Sequence, residues 1–470
     1  MTSKFLEEPF EGVIRQGADT FLIHPASGSS LSFDEAYSSA DTISESFPEG
    51  VLLLAAKDRL VFALTYLAAL RSNTPVLVVD HEAPIESLQS LAKVFNVSSA
   101  VIDGHEGFYS WARTSLENNV SLFVNPEVST TLINKDLAAL MPTSGSTGSP
   151  KCVRVSYNNI RASALAIGQY LKISKGRVLI ASLPLHYTYG LSLLHVAMGH
   201  RVPLVLSEHS TFTSDFWSDF LKHKATDFSG VPFQYEMILR SGTPTGVFDQ
   251  MKCMTQAGGR LDPDKTSRFL ELAETFGFLY FTMYGQTEAT PRISYVPPDF
   301  AASKVGSVGI PIPGGSLSIE RNQDTEESGE VVYSGPNVCL GYASSASDLG
   351  LPDEFRGVLK TGDLGYLDED GYLFITGRAN RDIKVSGKRV SLDALEQSLT
   401  RLGGEHAVLG VDESVLVVSV GVEVGDVRKT LQAVGSIHPS KISIVILPSL
   451  PRLSSGKVDY QSPKKEFLHT

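Results

Sequence analysis

Cysteine is scarce in this sequence: Cys152, Cys253 and Cys339 are the three among 470 residues. Their odd number and wide spacing exclude a disulfide framework and leave no plausible zinc site, so we interpret them as reduced packing residues. Long hydrophobic runs are also missing, since the apolar stretch Leu60 to Leu70 is too short to span a bilayer. The first residues, MTSKFLEEPFEG, lack the apolar core of a signal peptide. We therefore expect a cytoplasmic protein without membrane insertion.

Basic charge is not in excess either. Lys plus Arg number 40 and Asp plus Glu number 52, which gives a formal net charge of −12. Without a Lys/Arg run, this balance argues against nucleic acid or an anionic membrane as a partner. The hydrophobic share of 42% and the charged share of 20% are ordinary for globular chains and exclude a mainly disordered protein. A length of 470 residues predicts two to four compact units.

Strand and helix patterns alternate through most of the chain. Ser32 to Glu35 has the spacing of a capping box at the start of a helix. Between Val51 and Val79 the order is strand, helix, strand, which predicts a parallel βαβ unit. Further apolar runs, separated by helical patterns, are Val178 to Leu183, Val202 to Leu206 and Phe278 to Met283. The pattern predicts an α/β fold.

After about residue 300 the pattern changes to short strands and turns. Gly329 to Ser334 reads as a strand, and Tyr366 to Thr376 as a hairpin. A last helix is predicted from the cap residue Ser391 to the stop at Gly403. The charged stretch Gly377 to Asp382 predicts a boundary between a large domain and a smaller C-terminal one.

The segment Thr143 to Lys151, TSGSTGSPK, is the most informative for function. It has five hydroxyl residues, two glycines and a terminal lysine. Such a loop can surround a polyphosphate with its amides, hydroxyls and ammonium group. The spacing does not fit a Walker A loop, and taken alone the segment could be a surface linker.

Four further segments follow in a fixed order: Tyr284 to Ala289 (YGQTEA), Thr361 to Asp363 (TGD), Gly377-Arg378 with Lys384 to Val390 (KVSGKRV), and Ser455 to Asp459 (SGKVD). With the first loop, they resemble the motifs of the adenylate-forming (AMP-binding) ligases, which include acyl-CoA synthetases, adenylation domains of peptide synthetases, and luciferases. The resemblance covers nearly the whole chain. It implies a mixed α/β N-terminal body at 1–377 with an αβαβα arrangement and a β-barrel-like subdomain, a hinge at 378–382, and a small mobile α+β domain at 383–470.

The resemblance implies a two-step reaction. A carboxylate attacks the α-phosphate of ATP, pyrophosphate leaves, and the acyl-adenylate then reacts with a thiol and releases AMP. Because the first transition state is rich in negative charge, it needs a phosphate loop, a metal and a cation. The resemblance implies that Glu288 is a Mg²⁺ ligand, assisted by Thr143. It also implies that Glu288, Thr143 and Lys457 are the catalytic residues.

The resemblance also implies the nucleotide site. Tyr284 would offer its ring to adenine, Asp363 would accept hydrogen bonds from the ribose hydroxyls, and Arg378 would reach the ribose or α-phosphate. The full set predicted to bind ATP is Thr143, Ser144, Gly145, Ser146, Thr147, Gly148, Lys151, Gly258, Gly259, Arg260, Tyr284, Gly285, Gln286, Thr287, Asp363, Arg378 and Lys457.

Lys457 resembles the lysine that enters the site from the small domain and bridges the carboxylate and the α-phosphate. In the family this domain rotates after adenylation, so that a second face, including Lys384 to Val390, admits the thiol. The hinge position, two residues after Arg378, is usually Asp or Lys and is Asn380 here. This departure puts the hinge assignment in doubt.

The acid itself is not determined by the sequence. The predicted pocket residues are His186, Tyr187, Gly190, Phe233, Gln256 and Arg292. No acidic residue lies between Pro184 and Leu206, which argues against an α-amino acid held through its ammonium group. Aromatic residues there would suit an apolar or aromatic acid. Arg260 and Arg292 would instead suit a polar or second acidic group.

The acceptor and the reaction class also have alternatives. We expect a phosphopantetheine thiol, borne by CoA or by a separate acyl carrier protein, with a small carboxylic acid as the other substrate. Amino-acid adenylation for a carrier protein remains an alternative. So do a luciferase-type oxidoreductase and a non-catalytic adenylate-binding relative. The presence of Lys151, Glu288, Asp363, Arg378 and Lys457 argues against the non-catalytic alternative.

Overall fold

The structure is a computed structural model that describes residues 19–102, 108, 111–116, 121–142, 151–321, 328–378, 381–385, 388–435, 437–453 and 456–467. Its contacts divide the chain into two compact units. One comprises residues 1–305, 309–316 and 334–359, and the other residues 306–308, 317–333 and 360–470. The predicted boundary at 378–382 stays a prediction, and the hinge candidate Asn380 lies outside the described residues.

The first unit contains nine described helices, all within residues 33–276. They are α1 (Phe33–Ser44), α2 (Arg59–Arg71), α3 (Ile85–Val94), α4 (Tyr157–Tyr170), α5 (Thr188–His200), α6 (Ser214–Lys222), α7 (Pro232–Ser241), α8 (Val247–Gln250) and α9 (Pro263–Phe276). The predicted capping box is confirmed, because Ser32 Oγ accepts from the amide of Glu35 over 3.2 Å and Glu35 Oε2 accepts from the amide of Ser32 over 2.8 Å. None of the described helices is both long and apolar enough to cross a membrane.

A nine-stranded sheet forms one layer of this unit. In spatial order its strands are β16 (Ile310–Pro311), β15 (Ser294–Tyr295), β14 (Leu279–Tyr284), β13 (Cys253–Gln256), β12 (Asp227–Gly230), β10 (Leu179–Ile180), β11 (Leu204–Val205), β1 (Thr20–His24) and β2 (Ser29–Ser32). The strands from β14 to β1 are parallel. Their carboxyl ends therefore lie on one edge, where α/β sheets place ligands. An apolar core of Phe216, Phe220, Phe228, Tyr235 and Phe269 packs with the central strands.

An eight-stranded sheet forms the second layer. Its spatial order is β19 (Tyr342–Ala343), β9 (Cys152–Ser156), β8 (Leu137–Pro142), β4 (Val76–Val78), β3 (Val51–Ala55), β5 (Val97–Ile102), β7 (Ser121–Val124) and β6 (Ala112–Ser115). Strands β3 and β4 pair in parallel around helix α2, which confirms the predicted βαβ unit. The three cysteines are buried and reduced, as expected.

The second unit is built from smaller sheets. One of them is a four-stranded sheet of β17 (Ser316–Glu320), β18 (Gly329–Ser334), β20 (Val358–Leu367) and β21 (Leu373–Arg378). The chain continues through β22 (Asp382–Val385), β23 (Lys388–Ser391), α10 (Leu392–Leu399), β24 (Glu405–Val411), β25 (Ser414–Val420), α11 (Val424–Gly435), β26 (Ile442–Ile446) and α12 (Gln461–Phe467). Apolar side chains of α10, α11 and β24 to β26 form its core. The predicted α/β fold class with parallel and mixed sheets is confirmed.

Candidate active site

Glu288 lies just past the carboxyl end of β14, in a short 3₁₀ turn formed by Thr287–Ala289. Its Oε1 atom accepts a hydrogen bond of 3.0 Å from the hydroxyl of Tyr342, the first residue of β19. The backbone carbonyl of Glu288 accepts from the amide of Cys339 over 2.8 Å. The predicted metal ligand is thus held at the ligand-binding edge of the sheet from both its side chain and its backbone.

Gly285 is required by the way the chain folds back after β14. A β-carbon at Gly285 would lie 1.8 Å from the carbonyl oxygen of Pro291, so any other residue would displace the backbone. The amide side chain of Asn337 fixes the returning segment by donating to the carbonyls of Ala289 and Arg292, over 2.5 and 2.7 Å. The YGQTEA motif therefore forms a tight loop whose shape depends on backbone contacts.

Lys151 is the one residue of the predicted phosphate loop that the structure describes, since 143–150, with Thr143, Ser144, Gly145, Ser146, Thr147 and Gly148, lie outside the described residues. Its ammonium nitrogen sits 3.4 Å from the centroid of the Tyr342 ring. Tyr342 therefore contacts the cation of the loop with its ring and the candidate metal ligand with its hydroxyl. The electrostatic attraction of an aromatic face for a cation stabilises this position.

The first turn of α5 connects the 3₁₀ turn that carries Glu288 with the predicted acyl pocket. Thr188 Oγ1 lies 3.2 Å from Thr287 Oγ1, and the next residue, Tyr189, donates its hydroxyl hydrogen to the carbonyl of Thr255 over 2.8 Å. A β-carbon at Gly190 would lie 2.1 Å from the carbonyl oxygen of Pro184, so the close approach of loop and helix needs glycine here. Two adjacent residues of α5 thus reach both the 3₁₀ turn and β13.

Arg292 lies against the ring of Tyr189. Its guanidinium carbon is 4.0 Å from the centroid of the Tyr189 ring, and the residue is 3% exposed. By contrast, Arg260 is exposed in the loop after β13. Of the two arginines that the sequence offers for a polar acid, Arg292 is therefore the buried one.

His186 pairs with an aspartate that the sequence did not single out. Its Nε2 atom is 3.3 Å from Asp80 Oδ2, just past β4, and the ring of His81 lies 6.2 Å away. Burial lowers the pKa of His186 to about 4, although Asp80 opposes the change. At neutral pH His186 is uncharged and can present a neutral hydrogen-bonding group.

The remaining pocket candidates lie on three elements. Tyr187 stands at the N-cap position of α5 without a capping hydrogen bond from its side chain, and its ring centroid is 6.3 Å from that of Tyr189. Phe233, in α7, makes an edge contact with Phe212 at 5.2 Å. Gln256 ends β13 and donates to the carbonyl of Gly259 over 2.8 Å, which shapes the loop through Gly258 toward Arg260.

Tyr284 ends β14 and Gln286 follows it in the first unit, whereas three further predicted residues, Asp363, Arg378 and Lys457, belong to the second unit. Asp363 is buried in β20, and its Oδ1 atom is 3.0 Å from Nε of Arg378 in the paired strand β21. The side chain of Arg378 is 64% exposed. Lys457 lies in the segment before α12, where its carbonyl accepts from the amide of Leu453 over 2.9 Å. Ser455 of the same motif falls outside the described residues.

Sequence reasoning missed Tyr342, Asp80 and Asn337. Each acts through a contact with a residue far away in the chain, and none carries a motif of its own. A signal did exist for Asp80, because it follows β4, a strand that is parallel to both of its neighbours, and ligand-binding side chains collect at the carboxyl ends of such strands.

Comparison with known proteins gives a matching family and several curated relatives. Residues 13–343 match the family described as AMP-binding enzyme. The oxalate–CoA ligase of Arabidopsis thaliana is 27% identical over 424 residues, which are 84% of this chain and 80% of that protein. The 2-succinylbenzoate–CoA ligase of Bacillus subtilis is 29% identical over 337 residues, 68% of this chain and 67% of that protein.

Solved structures share the fold. The o-succinylbenzoate CoA synthetase of Bacillus subtilis, in complex with its acyl-adenylate, has a TM-score of 0.76 at 22% identity over 97% of both chains. ATP-bound MatB from Rhodopseudomonas palustris has a TM-score of 0.81 at 22% identity over 99% of both chains. The curated relatives are CoA ligases by name, the reaction class that the motifs predict. The chain therefore belongs to the AMP-binding enzyme family, the adenylate-forming ligases that its motifs resemble.

Proposed function

We propose that this protein uses ATP and Mg²⁺ to activate a small carboxylic acid as its acyl-adenylate and then transfers the acyl group to CoA. The main support is the contact of Tyr342 with both Glu288 and Lys151 at the carboxyl edge of the nine-stranded sheet. This arrangement brings a carboxylate and an ammonium group together, as the charged phosphates of ATP require.

The residues around Glu288 fit a magnesium ion. Carboxylate and hydroxyl oxygens are ligands that Mg²⁺ takes, and Glu288 and Thr287 supply them from one 3₁₀ turn. Tyr342 binds one carboxylate oxygen and so orients the other. When bound, the ion would neutralise charge on the phosphates during displacement of pyrophosphate. A structure of the Bacillus subtilis o-succinylbenzoate CoA synthetase contains ATP and a magnesium ion.

We assign the phosphate-binding role to Lys151 and to the loop residues 143–148 before it. In the first half-reaction, an oxygen of the acid forms a bond to the α-phosphorus while the bond from that phosphorus to the bridging oxygen breaks. Pyrophosphate leaves with the negative charge, which Lys151 stabilises. Lys457, in the second unit, has the proposed role of bridging the attacking carboxylate and the α-phosphate.

The nucleoside end of ATP is assigned to the residues that the motifs predicted for it. Asp363 accepts from the ribose hydroxyls, and Arg378, which is largely exposed beside it, binds the ribose or the α-phosphate. Tyr284 and the loop from Gly258 to Arg260 flank the adenine. The carboxylate group of the acid lies against Thr188 and Thr287, and the rest of the acid extends over the first turn of α5.

CoA is the proposed acceptor because the curated relatives are CoA ligases. In the second half-reaction, the thiolate sulfur forms a bond to the acyl carbon, the bond from that carbon to the phosphate oxygen breaks, and AMP leaves. A phosphopantetheine thiol on a separate carrier protein would undergo the same chemistry and is the alternative acceptor.

The direct experiment is to incubate the protein with ATP, Mg²⁺ and CoA and a panel of fatty, aryl, hydroxy, amino and dicarboxylic acids. Pyrophosphate release and thioester mass are the two readouts. We expect both for at least one acid, with thioester formation reduced by about 100- to 1,000-fold in Glu288→Gln. Glu274→Gln, an exposed substitution in α9, is the matched control. Pyrophosphate release without a thioester would contradict CoA as acceptor and direct the test to carrier proteins.

A further inference from the structure

Arg292 differs from the other buried arginines of this chain. The described part of the structure buries three arginines, Arg154, Arg177 and Arg292, at 0%, 6% and 3% exposure. Arg154 has a carboxylate partner in Glu354 at 2.6 Å, and Arg177 has one in Asp227 at 2.7 Å. Within the described ranges, no Asp or Glu lies in ion-pair contact with Arg292. Burying a cation without an anion costs free energy, because the cation loses its hydration and no opposite charge replaces it.

The neighbours of Arg292 are neutral. The guanidinium lies over the ring of Tyr189 at 4.0 Å, and its Nε–H has no acceptor among the described residues. The hydroxyl of Tyr170, which donates to Met283 Sδ over 3.0 Å, is also near the guanidinium, and burial raises the pKa of that hydroxyl. An aromatic face attracts a cation but covers only the flat side of the guanidinium. The Nε–H at its planar edge therefore still needs an acceptor.

Other unpaired donors and acceptors accompany Arg292. Gln286 Nε2 and Thr290 Oγ1 are likewise buried without a hydrogen-bond partner in the described part of the chain. Buried polar atoms are normally satisfied, so these three atoms, within the seven residues from Gln286 to Arg292, are available to hydrogen-bond a ligand. The same loop carries Glu288.

The first turn of α5 connects the reacting end to Arg292. Thr188 contacts Thr287 at 3.2 Å on the side of the reaction, and Tyr189 stacks on Arg292. An acid bound across this turn would have its reacting carboxylate near Thr287 and its remote end near the guanidinium.

We propose that Arg292 binds a second carboxylate of the acid, so that the substrates of this enzyme are dicarboxylic acids. The inference rests on the proposed function and names its substrate class. A carboxylate suits the site because its two oxygens are coplanar and match two parallel N–H donors at the edge of a guanidinium. The absence of a carboxylate partner for Arg292 among the described residues leaves this role to the substrate.

The first test compares each diacid with an analogue that lacks only the second charge. The probes are malonate, succinate, glutarate and phthalate, each with its half-amide, in pyrophosphate release with CoA. A site built around a buried polar group rejects ligands that leave it unpaired, so we expect kcat/KM at least about 100-fold higher for the preferred diacid than for its half-amide. Arg292→Met should abolish this preference, and Arg292→Lys should restore part of it. Arg240→Met, exposed in α7, should keep it.

The second test measures thermal stability, first without a substrate and then with the preferred diacid. Removing an unpaired buried charge should leave the melting temperature of Arg292→Met unchanged or raised, whereas Arg154→Met should lower it, because Arg154 donates to four backbone carbonyls and to Glu354. The preferred diacid should raise the melting temperature of the wild type and not of Arg292→Met.

Three results would overturn the proposal. Equal use of diacids and half-amides by an active enzyme would refute the substrate class while leaving the proposed function intact. So would a loss of stability in Arg292→Met as large as that in Arg154→Met. Failure of every acid, including the broader panel, to release pyrophosphate would instead refute the proposed function, and this inference with it.

Discussion

The hydroxyl of Tyr342 donates a 3.0 Å hydrogen bond to Glu288, and the ring of the same tyrosine lies 3.4 Å from the ammonium of Lys151. One side chain thus positions the candidate metal ligand and the cation of the phosphate loop. Tyr342 touches no reacting atom in this arrangement, so we interpret it as a positioning residue.

Tyr342→Phe separates these two contacts, because it removes the hydroxyl and keeps the ring. A hydrogen bond to a charged group contributes about 1.5–3 kcal/mol, so we expect a loss of about 10-fold or more in kcat/KM for ATP. Tyr342→Leu removes both contacts and should cost more. Steady-state kinetics over a range of Mg²⁺ concentrations is the measurement, with Tyr366→Phe in β20 as the control. Wild-type kinetics in both Tyr342 variants would refute the positioning role.

Glu288→Gln tests the metal-binding assignment itself. The amide keeps the size of the side chain but removes its charge, so Mg²⁺ would be bound more weakly. We expect adenylation to fall by about 100- to 1,000-fold, the usual effect of removing one group that stabilises transition-state charge. The Mg²⁺ concentration that gives the half-maximal rate should rise. A variant with an unchanged Mg²⁺ dependence would exclude Glu288 as the ligand.

Asp363 and Arg378 give a prediction about nucleotide affinity. The carboxylate of Asp363 is 7% exposed and lies 3.0 Å from Arg378, whose side chain is 64% exposed. An amide accepts hydrogen bonds at one oxygen only, so Asp363→Asn should raise KM for ATP by about 10-fold. The turnover number should change less. Asp370→Asn, in the exposed turn between β20 and β21, is the control. If KM for ATP stayed constant in Asp363→Asn, Asp363 would not contact the ribose.

The pKa of His24 predicts how the stability of the fold depends on pH. It is buried, and its hydrogen bond to Glu208 (3.2 Å) raises its pKa, with Asp58 adding to the effect and burial opposing it. A raised pKa means that protonated His24 stabilises the fold, fully below its unfolded pKa and progressively less as pH rises through the folded value. The gap in melting temperature between wild type and His24→Gln should therefore shrink by about 2 °C from pH 6 to pH 9.

Glu208→Gln supplies the matched test of the same pair. The hydrogen bond from His24 lowers the pKa of Glu208, so the carboxylate is charged throughout this pH range. Removing this charge should make the melting temperature depend less on pH, as His24→Gln does. A constant gap across the range for both variants would show that His24 does not titrate there.

Local features of the fold could be predicted because their causes are local. The capping box of Ser32 and Glu35 lies within four residues, and the strand predicted at Phe278 to Met283 forms at Leu279–Tyr284. Motif order and resemblance then placed Glu288 after that strand. These predictions depend on neighbours in sequence or on patterns shared by a family.

The contacts that complete the site could not be predicted in this way. Tyr342 lies 54 positions from Glu288 and carries no motif, and its pairing depends on where β19 joins the eight-stranded sheet. Arg292 has no carboxylate partner among the described residues, and this too depends on how the folded chain packs around it. Sequence showed two candidate arginines, and only burial distinguishes Arg292 from Arg260.

Acid-dependent ATP–pyrophosphate exchange in Lys457→Ala tests the central claim most directly. If Lys457 bridges the carboxylate and the α-phosphate, exchange should fall by about 100- to 1,000-fold while the melting temperature stays at the wild-type value. Lys429→Ala, exposed in α11 of the same unit, should exchange normally. Wild-type exchange in Lys457→Ala would contradict the proposed adenylation mechanism.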